Sequence, residues 1–206
     1  MSPISVLNRL QIGNNSFVNG ENRPVGLACP TTRKRLADEG QNPFAVVVTC
    51  ADSRVPAEAI FQTDLGDLFV IRVAGCCVDS SVIACIEYAV SNFHCNVCIV
   101  MSHTQCGAIN AALEAVETSR PLPSDSLSQM LRPVMSVIER DRHHFTKMPA
   151  DRVEDHVTKI STLHQIKRLR NESDIIRSRA DEGQLMIVPA KYDLKSGAVD
   201  FHLEVV

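Results

Sequence analysis

Two short clusters of sulfur and imidazole side chains could together hold a metal ion. Cys50 follows the apolar run of residues 44–49, and His103 and Cys106 follow a second apolar run, residues 97–101. Both runs have the length and β-branched content of buried parallel strands. Because sites in an open α/β sheet form at the carboxyl ends of strands, we expect the two clusters to meet. Two cysteines and one histidine are a ligand set of catalytic zinc, which leaves a fourth position open. The spacing therefore predicts a Zn²⁺ site.

Asp52 and Arg54 alternate with Cys50 along the turn that leaves the first strand. A carboxylate there can accept the hydrogen of a zinc-bound hydroxide and fix its orientation, and an arginine beside it keeps the carboxylate ionised and aimed. Such support from outside the ligand shell is common at metal sites. If Arg54 released Asp52, the carboxylate could instead fill the open zinc position and close the site.

Other interpretations of these residues stay open. A His-x-x-Cys pair and a cysteine at a strand end are frequent without any metal, since cysteine is often a small buried residue. A structural zinc module with four protein ligands would also use such residues, but it would leave Asp52 and Arg54 without a role. A rival pair, Cys95 and Cys98, has a spacing typical of zinc and redox sites. Because residues three apart in a strand face opposite sides, we interpret that pair as structural.

Strands alternate with helices along the chain, which predicts an α/β fold with a mainly parallel central sheet flanked by helices. The predicted strands are residues 44–49, 68–73, 96–102 and 185–188, followed by a hairpin at 193–197 into an antiparallel edge strand, 199–205. The predicted helices are residues 3–10, 31–39, 56–61, 82–93, 105–116, 126–144, 151–172 and 174–180. Pro133 interrupts the sixth helical pattern and predicts a kink or a break.

The whole chain is predicted to be one domain, since 206 residues suffice for one core and no composition shift marks a boundary. Within it we distinguish an N-terminal helical arm (residues 1–40), a zinc-site core (41–117), a helical region (118–183) and a terminal hairpin (184–206).

The composition indicates which binding partners and which cellular compartment to expect for this chain. The net charge of −3 gives no electrostatic case for nucleic acid, and no apolar run is long enough to span a membrane. The first residues lack the basic and apolar regions of a secretory signal, so we expect a cytoplasmic protein. The eight cysteines are then expected to be thiols or metal ligands rather than a disulfide framework.

The sequence resembles the β-class carbonic anhydrases along most of its length. Two motifs and the distance between them carry the resemblance: Cys50-Ala51-Asp52-Ser53-Arg54-Val55-Pro56 and Ser102-His103-Thr104-Gln105-Cys106-Gly107-Ala108. Further similar segments are residues 40–44, 66–72, 86–90 and 191–197. The resemblance implies a parallel sheet with flanking helices, assembled as a homodimer or a dimer of dimers in which the N-terminal helices embrace the partner.

The implied activity is the zinc-dependent, reversible hydration of CO₂ to bicarbonate and a proton through a zinc-bound hydroxide. By resemblance, the metal ligands are Cys50, His103 and Cys106, and Asp52 and Arg54 form the catalytic dyad. Gln41, Phe69 and Tyr88 match positions that shape the CO₂ pocket at a dimer interface, so Gln41 or Phe69 could serve the partner's zinc. A second enzymatic hypothesis is the hydrolysis of a CO₂-like molecule such as carbon disulfide, but no residue of this sequence specifically indicates it.

Several positions depart from the family pattern. Val73, Ala74 and Cys76 stand where other residues are usual, which affects the expected pocket rather than the ligands. Some bacterial members bind bicarbonate at a separate site that needs a tryptophan. This chain has no tryptophan, so Arg72 and Tyr192 are not expected to form that site.

Overall fold

The computed structural model describes residues 1–21, 29–145 and 147–202 of the chain. In these ranges five strands form one sheet in the order β2-β1-β3-β4-β5. The strands are β1 (Ala45–Thr49), β2 (Leu68–Arg72), β3 (Val97–His103), β4 (Met186–Tyr192) and β5 (Val199–Asp200). The first four pair in parallel and β5 pairs antiparallel with β4, which confirms the predicted fold class. The predicted edge strand, residues 199–205, is shorter in the structure, where β5 ends at Asp200, and residues 203–205 lie outside the described residues.

The two central strands, β1 and β3, carry the positions that precede the predicted ligands. Every residue of both strands is buried, as expected for β-branched strands covered on two faces. Strand β1 lies between β2 and β3, so the chain first moves to one side of β1 and then crosses to the other. Such a reversal opens a crevice outside the carboxyl ends of the strands. The predicted ligands therefore follow the two strands that border this crevice.

The helices match the predicted segments closely, with differences at their ends. They are α1 (Pro3–Val18), α2 (Pro30–Glu39), α3 (Ala57–Ile60), α4 (Ser80–Asn92), α5 (Gly107–Thr118), α6 (Asp125–Phe145), α7 (Ala150–Glu172) and α8 (Asp174–Asp181). Helix α4 starts two residues before the predicted segment, directly after Asp79, whose side chain accepts a hydrogen bond from the Val82 N–H. A short 3₁₀ turn, Ala74–Cys76, lies between β2 and α4.

Helix α1 is eight residues longer than the predicted segment, which ended at residue 10. The extension contains Gly13 and Asn14, which are poor helix formers, and tertiary contacts stabilise it. A Cβ on Gly13 would lie 1.9 Å from the Phe61 carbonyl oxygen, so only glycine permits this approach. The Asn14 amide donates to the Gly197 carbonyl at 2.9 Å, and its oxygen accepts from the Val199 N–H at 2.8 Å. These long-range contacts leave no local sequence signal.

Helix α6 runs through Pro133 without the break that was one of the two predicted outcomes. Pro133 cannot donate a backbone hydrogen bond within the helix. Neighbouring Leu131, Val134 and Ile138 are nonetheless fully buried. The packing of this face against α5 and α7 holds the helix together across the proline.

The core has three parts around the sheet. Helices α1 and α3 cover one face, with Leu10, Ile60 and Ile99 at the centre of that cluster. Helices α4, α7 and α8 cover the other face. A third cluster, under α5, α6 and α7, includes the two predicted sulfur ligands. Among the described helices, none is both long and apolar enough to cross a membrane.

Candidate metal centre

The structure brings Cys50, His103 and Cys106 together at the carboxyl edge of the sheet. Their ligand atoms all lie within 4.8 Å of one another, and all three residues are buried. Cys50 directly follows β1, His103 is the last residue of β3, and Cys106 is the N-cap of α5. Within the described ranges no other group of three or more such side chains is arranged to hold a metal. We call these three residues the metal cluster.

The turn between His103 and Cys106 directs both side chains to the same point. Gln105 adopts a left-handed backbone with φ of 55°, which is uncommon for a residue with a side chain. Thr104 is anchored to β4, because its N–H donates to the Tyr192 carbonyl at 3.0 Å. Its hydroxyl also accepts from the Leu194 N–H at 3.0 Å. The terminal hairpin therefore fixes the turn that carries two of the three ligands.

The His103 ring presents one free nitrogen to the cluster. Its Nδ1 lies 2.8 Å from the Thr104 carbonyl oxygen, which can only accept, so Nδ1 carries the proton. The other nitrogen, Nε2, is buried and has no hydrogen-bond partner among the described residues. Burial lowers the pKa of His103, but the Cys50 sulfur, the Thr104 carbonyl and Asp52 outweigh it and raise the pKa overall. A cation would satisfy the buried Nε2 lone pair without a proton.

The two thiols titrate as a pair. The thiol of Cys106 beside Cys50 lowers the pKa of Cys50 well below its usual value, and the same contact raises the pKa of Cys106 far above its own. Two thiolates cannot share this buried space unless a cation balances them. Without a cation, Cys50 therefore loses its proton easily and Cys106 keeps its proton.

The donor set fits Zn²⁺. Zinc accepts thiolate sulfur and imidazole nitrogen in a tetrahedral shell, whose sulfur ligands stand about 3.8 Å apart for bonds of about 2.3 Å. The ligand atoms of the cluster are already within 4.8 Å of one another. Within the described residues the group has three members, which is the number of protein ligands in a catalytic zinc site with one open position.

Asp52 and Arg54 form a two-pronged ion pair beside the cluster. Arg54 Nε donates to Asp52 Oδ1 at 2.9 Å and Nη2 donates to Oδ2 at 2.7 Å. The Arg54 backbone N–H adds a third bond to Oδ1 at 2.9 Å. These contacts hold the pKa of the Asp52 carboxyl well below its usual range. Asp52 Oδ2 lies 3.9 Å from His103 Nε2, so the ionised carboxylate borders the cluster while Arg54 holds both of its oxygens.

Arg72 holds the backbone of the turn that contains Cys50 and Asp52, and the sequence did not predict this role. Its Nε donates to the Cys50 carbonyl at 3.2 Å and its Nη2 to the Asp52 carbonyl at 2.5 Å. Arg72 ends β2 and pairs with Thr49, so its side chain reaches the chain leaving β1. A charged residue at the end of an otherwise apolar strand was the available signal.

Glu154 of α7 is a second contact that the sequence did not indicate. Its Oε1 accepts from the Cys106 backbone N–H at 3.2 Å. In many helices a glutamate in the first turn bonds the N–H of the N-cap residue. In α5 that position is Ile109, and Glu154 supplies the acceptor from another helix. The two residues are 48 positions apart, so no local pattern reveals the contact.

Gln41, Phe69 and Tyr88 lie away from the metal cluster of their own chain. Phe69 pairs with Val46, four residues before Cys50, which places it about 13 Å back along the strands. Gln41 is exposed and precedes β1, so it lies toward the amino ends of the strands, opposite the metal cluster. The rings of Phe69, Tyr88 and Phe93 pack against one another with centroids 5.5 to 6.2 Å apart, and we call these three residues the aromatic cluster. Tyr88 is 53% exposed.

Cys95 and Cys98 are buried and lie outside the metal cluster. The Cys95 thiol donates to the Pro43 carbonyl at 3.3 Å. Burial raises the pKa of Cys95 to about 11 and that of Cys98 to about 12. Both thiols therefore stay protonated, which agrees with their interpretation as structural residues.

Comparison with known proteins identifies relatives along nearly the whole chain. The family model described as carbonic anhydrase matches residues 45–199. Carbonic anhydrase 2 of Mycobacterium tuberculosis is 34% identical over 196 residues, which cover 95% of this chain and 91% of the relative. The β-carbonic anhydrase CcaA is similar in structure, with a TM-score of 0.75 at 26% identity over 94% of this chain and 93% of that one. A structure described among tetrameric β-carbonic anhydrases of Sordaria macrospora has the same fold, with a TM-score of 0.71 at 23% identity over 95% and 96% of the two chains.

Proposed function

The chain belongs to the β-class carbonic anhydrases, and we propose from this membership that Cys50, His103 and Cys106 hold its zinc ion. The enzyme catalyses the zinc-dependent, reversible hydration of CO₂ to bicarbonate and a proton. One observation carries the assignment of the ligands: their three donor atoms converge within 4.8 Å, and the buried His103 Nε2 has no partner among the described residues. When bound, Zn²⁺ supplies the Lewis acidity that makes water a nucleophile near neutral pH.

We assign Asp52 the role of orienting the attacking water. Its low pKa keeps the carboxylate ionised, so Oδ2 can accept the O–H of that water beside His103. Arg54 holds Asp52 by two side-chain bonds and itself donates to the Gln105 carbonyl at 3.3 Å. This arrangement keeps both Asp52 oxygens on Arg54, so Asp52 would act on the water and would not itself bind the metal. Arg72 and Glu154 are positioning residues, since they bond only backbone atoms of the cluster.

The CO₂ pocket is proposed to form between two subunits. The distance between Phe69 and the metal cluster within one chain argues against a pocket built by one subunit. Strand β2 lies at the edge of the sheet and carries Phe69. A partner across this edge would bring Phe69, Tyr88 and Gln41 of one subunit toward the metal cluster of the other. We therefore propose a homodimer or a dimer of dimers.

We further propose that residues 1–40 act as an arm toward the partner, with residues 41–117 as the zinc-site core, 118–183 as the helical region and 184–206 as the terminal hairpin. Ile4 and Ile12 on α1 are each 63% exposed, which leaves apolar surface for a second subunit. The structure describes all eight cysteines, and none of them forms a disulfide bond. Because disulfides are rare in the cytosol, we propose a cytoplasmic location.

Stopped-flow CO₂ hydration with zinc content measured on the same sample tests the activity. We expect rapid hydration that scales with zinc content and disappears after chelation. Full zinc occupancy without hydration would refute the assigned function. Hydrolysis of carbon disulfide in place of CO₂ hydration would support the second enzymatic hypothesis.

A further inference from the structure

A cavity lies between α6, α7 and the segment that precedes α4. Its volume is about 730 Å³, which is in the range of small-molecule sites. None of the three metal-cluster residues lines it. Its apolar surface includes Val78, Met130 and Pro133. The cavity is therefore separate from the metal cluster and large enough for a small organic molecule.

Pro133 gives this part of α6 unusual polarity. Because proline has no N–H, the carbonyl of Gln129 lacks its usual helical donor. Gln129 and Pro133 both line the cavity. A ligand can therefore meet backbone and side-chain polar groups here in addition to the apolar surface.

Two guanidinium groups line the cavity, those of Arg132 and Arg168, and one of them has no ionic partner among the described residues. Arg132 makes no ion pair or hydrogen bond with the described residues, so its guanidinium is available. Arg168 is fixed: its Nε and Nη2 donate to Glu172 at 2.6 and 3.1 Å, and its Nη1 donates to the Val78 carbonyl at 2.5 Å. The one carboxylate lining the cavity, Asp79, caps α4.

His164 is a titratable group of the cavity. It lines the cavity, and its pKa is lowered by burial and by the nearby cations Arg140, Arg168 and Lys167. Glu172 opposes the effect and does not cancel it. The His164 imidazole adds a further hydrogen-bonding group beside the two guanidinium groups.

We propose that this cavity binds a small organic anion, with its charged head between Arg132 and Arg168 and its apolar body against Val78, Met130 and Pro133. Guanidinium groups bind phosphate and carboxylate oxygens through paired hydrogen bonds. Arg168 is held in place by Glu172 and Val78 and keeps one N–H on each of Nη1 and Nη2 for such a head group. Arg132 supplies the charge that has no partner among the described residues. The metal cluster takes no part in this binding.

The test follows the His164 imidazole by NMR in the zinc-loaded enzyme, with the signal assigned from a His164→Gln variant. The probe is phenyl phosphate, and benzyl alcohol and inorganic phosphate are its neutral and headgroup-only counterparts. We expect phenyl phosphate to raise the pKa of His164 by about one unit, since an anion would lie nearby. Phenyl phosphate should bind more tightly than inorganic phosphate, and benzyl alcohol should leave the pKa unchanged.

Arg132→Ala should weaken phenyl phosphate binding at least about tenfold, since a charge-assisted contact is lost. Arg33→Ala on α2 is the matched control, because it removes one exposed arginine away from the cavity. An unchanged His164 pKa with phenyl phosphate overturns the proposal. Equal weakening by Arg132→Ala and Arg33→Ala also overturns it, because binding would then follow net charge alone.

Discussion

The metal cluster and the aromatic cluster differ in how complete they are within one chain. The cluster of Cys50, His103 and Cys106 is buried, and hydrogen bonds fix the backbone around each member. The cluster of Phe69, Tyr88 and Phe93 lies at the edge strand β2 with Tyr88 largely exposed. The residues proposed to hold zinc are thus brought together by the fold of one chain. The residues proposed to hold CO₂ would, by that proposal, act beside the metal cluster of a second subunit.

The largest expected effect follows from breaking the metal cluster. Cys106→Ser replaces a soft thiolate by a hydroxyl that does not ionise near neutral pH, so zinc binding and CO₂ hydration should both be lost. Zinc per subunit after dialysis measures the first and stopped-flow the second. Cys85→Ser changes an exposed thiol and is the matched control. Full zinc content in Cys106→Ser would remove that residue from the ligand set.

The next effect separates metal binding from turnover. Asp52→Asn keeps the shape of the side chain but removes the charge that orients water, so zinc should stay bound while kcat falls roughly a hundredfold or more. Asp38→Asn on α2 changes an exposed, ion-paired carboxylate and should leave both quantities unchanged. A variant of Asp52 with near-normal turnover would contradict its assigned role.

Mixed oligomers test whether the two clusters work across subunits. If Phe69 serves the partner's metal cluster, a dimer of one Asp52→Asn subunit and one Phe69→Ala subunit contains one intact site. Random mixing of the two variants should then restore about a quarter of the wild-type sites, since half of the dimers are mixed. Each variant mixed with itself is the control. No recovery on mixing would place Phe69 and Asp52 of the same chain in one site.

The sequence predicted all three members of the metal cluster because the signals are local. Cys50, His103 and Cys106 follow apolar runs whose strand character is plain, and parallel strands align their carboxyl ends. The same reasoning predicted the sheet and nearly every helix. It missed the extension of α1, because Asn14 depends on residues more than 180 positions away. It missed Glu154 for the same reason, since its contact joins two helices that only the fold brings together.

Glu154 gives the smallest and finest test of how completely one chain builds its metal cluster. Glu154→Ala leaves the Cys106 N–H without its acceptor, and we expect zinc affinity to fall about tenfold, the cost of one such hydrogen bond. Glu154→Gln keeps an oxygen acceptor and should recover most of the affinity, whereas Glu117→Ala on α5 should change nothing. Chelator competition measures all three. If the glutamine variant binds zinc as weakly as the alanine variant, the charge of Glu154 supports the cluster and not its hydrogen bond. If neither variant differs from wild type, the N-terminus of α5 holds Cys106 without help from α7.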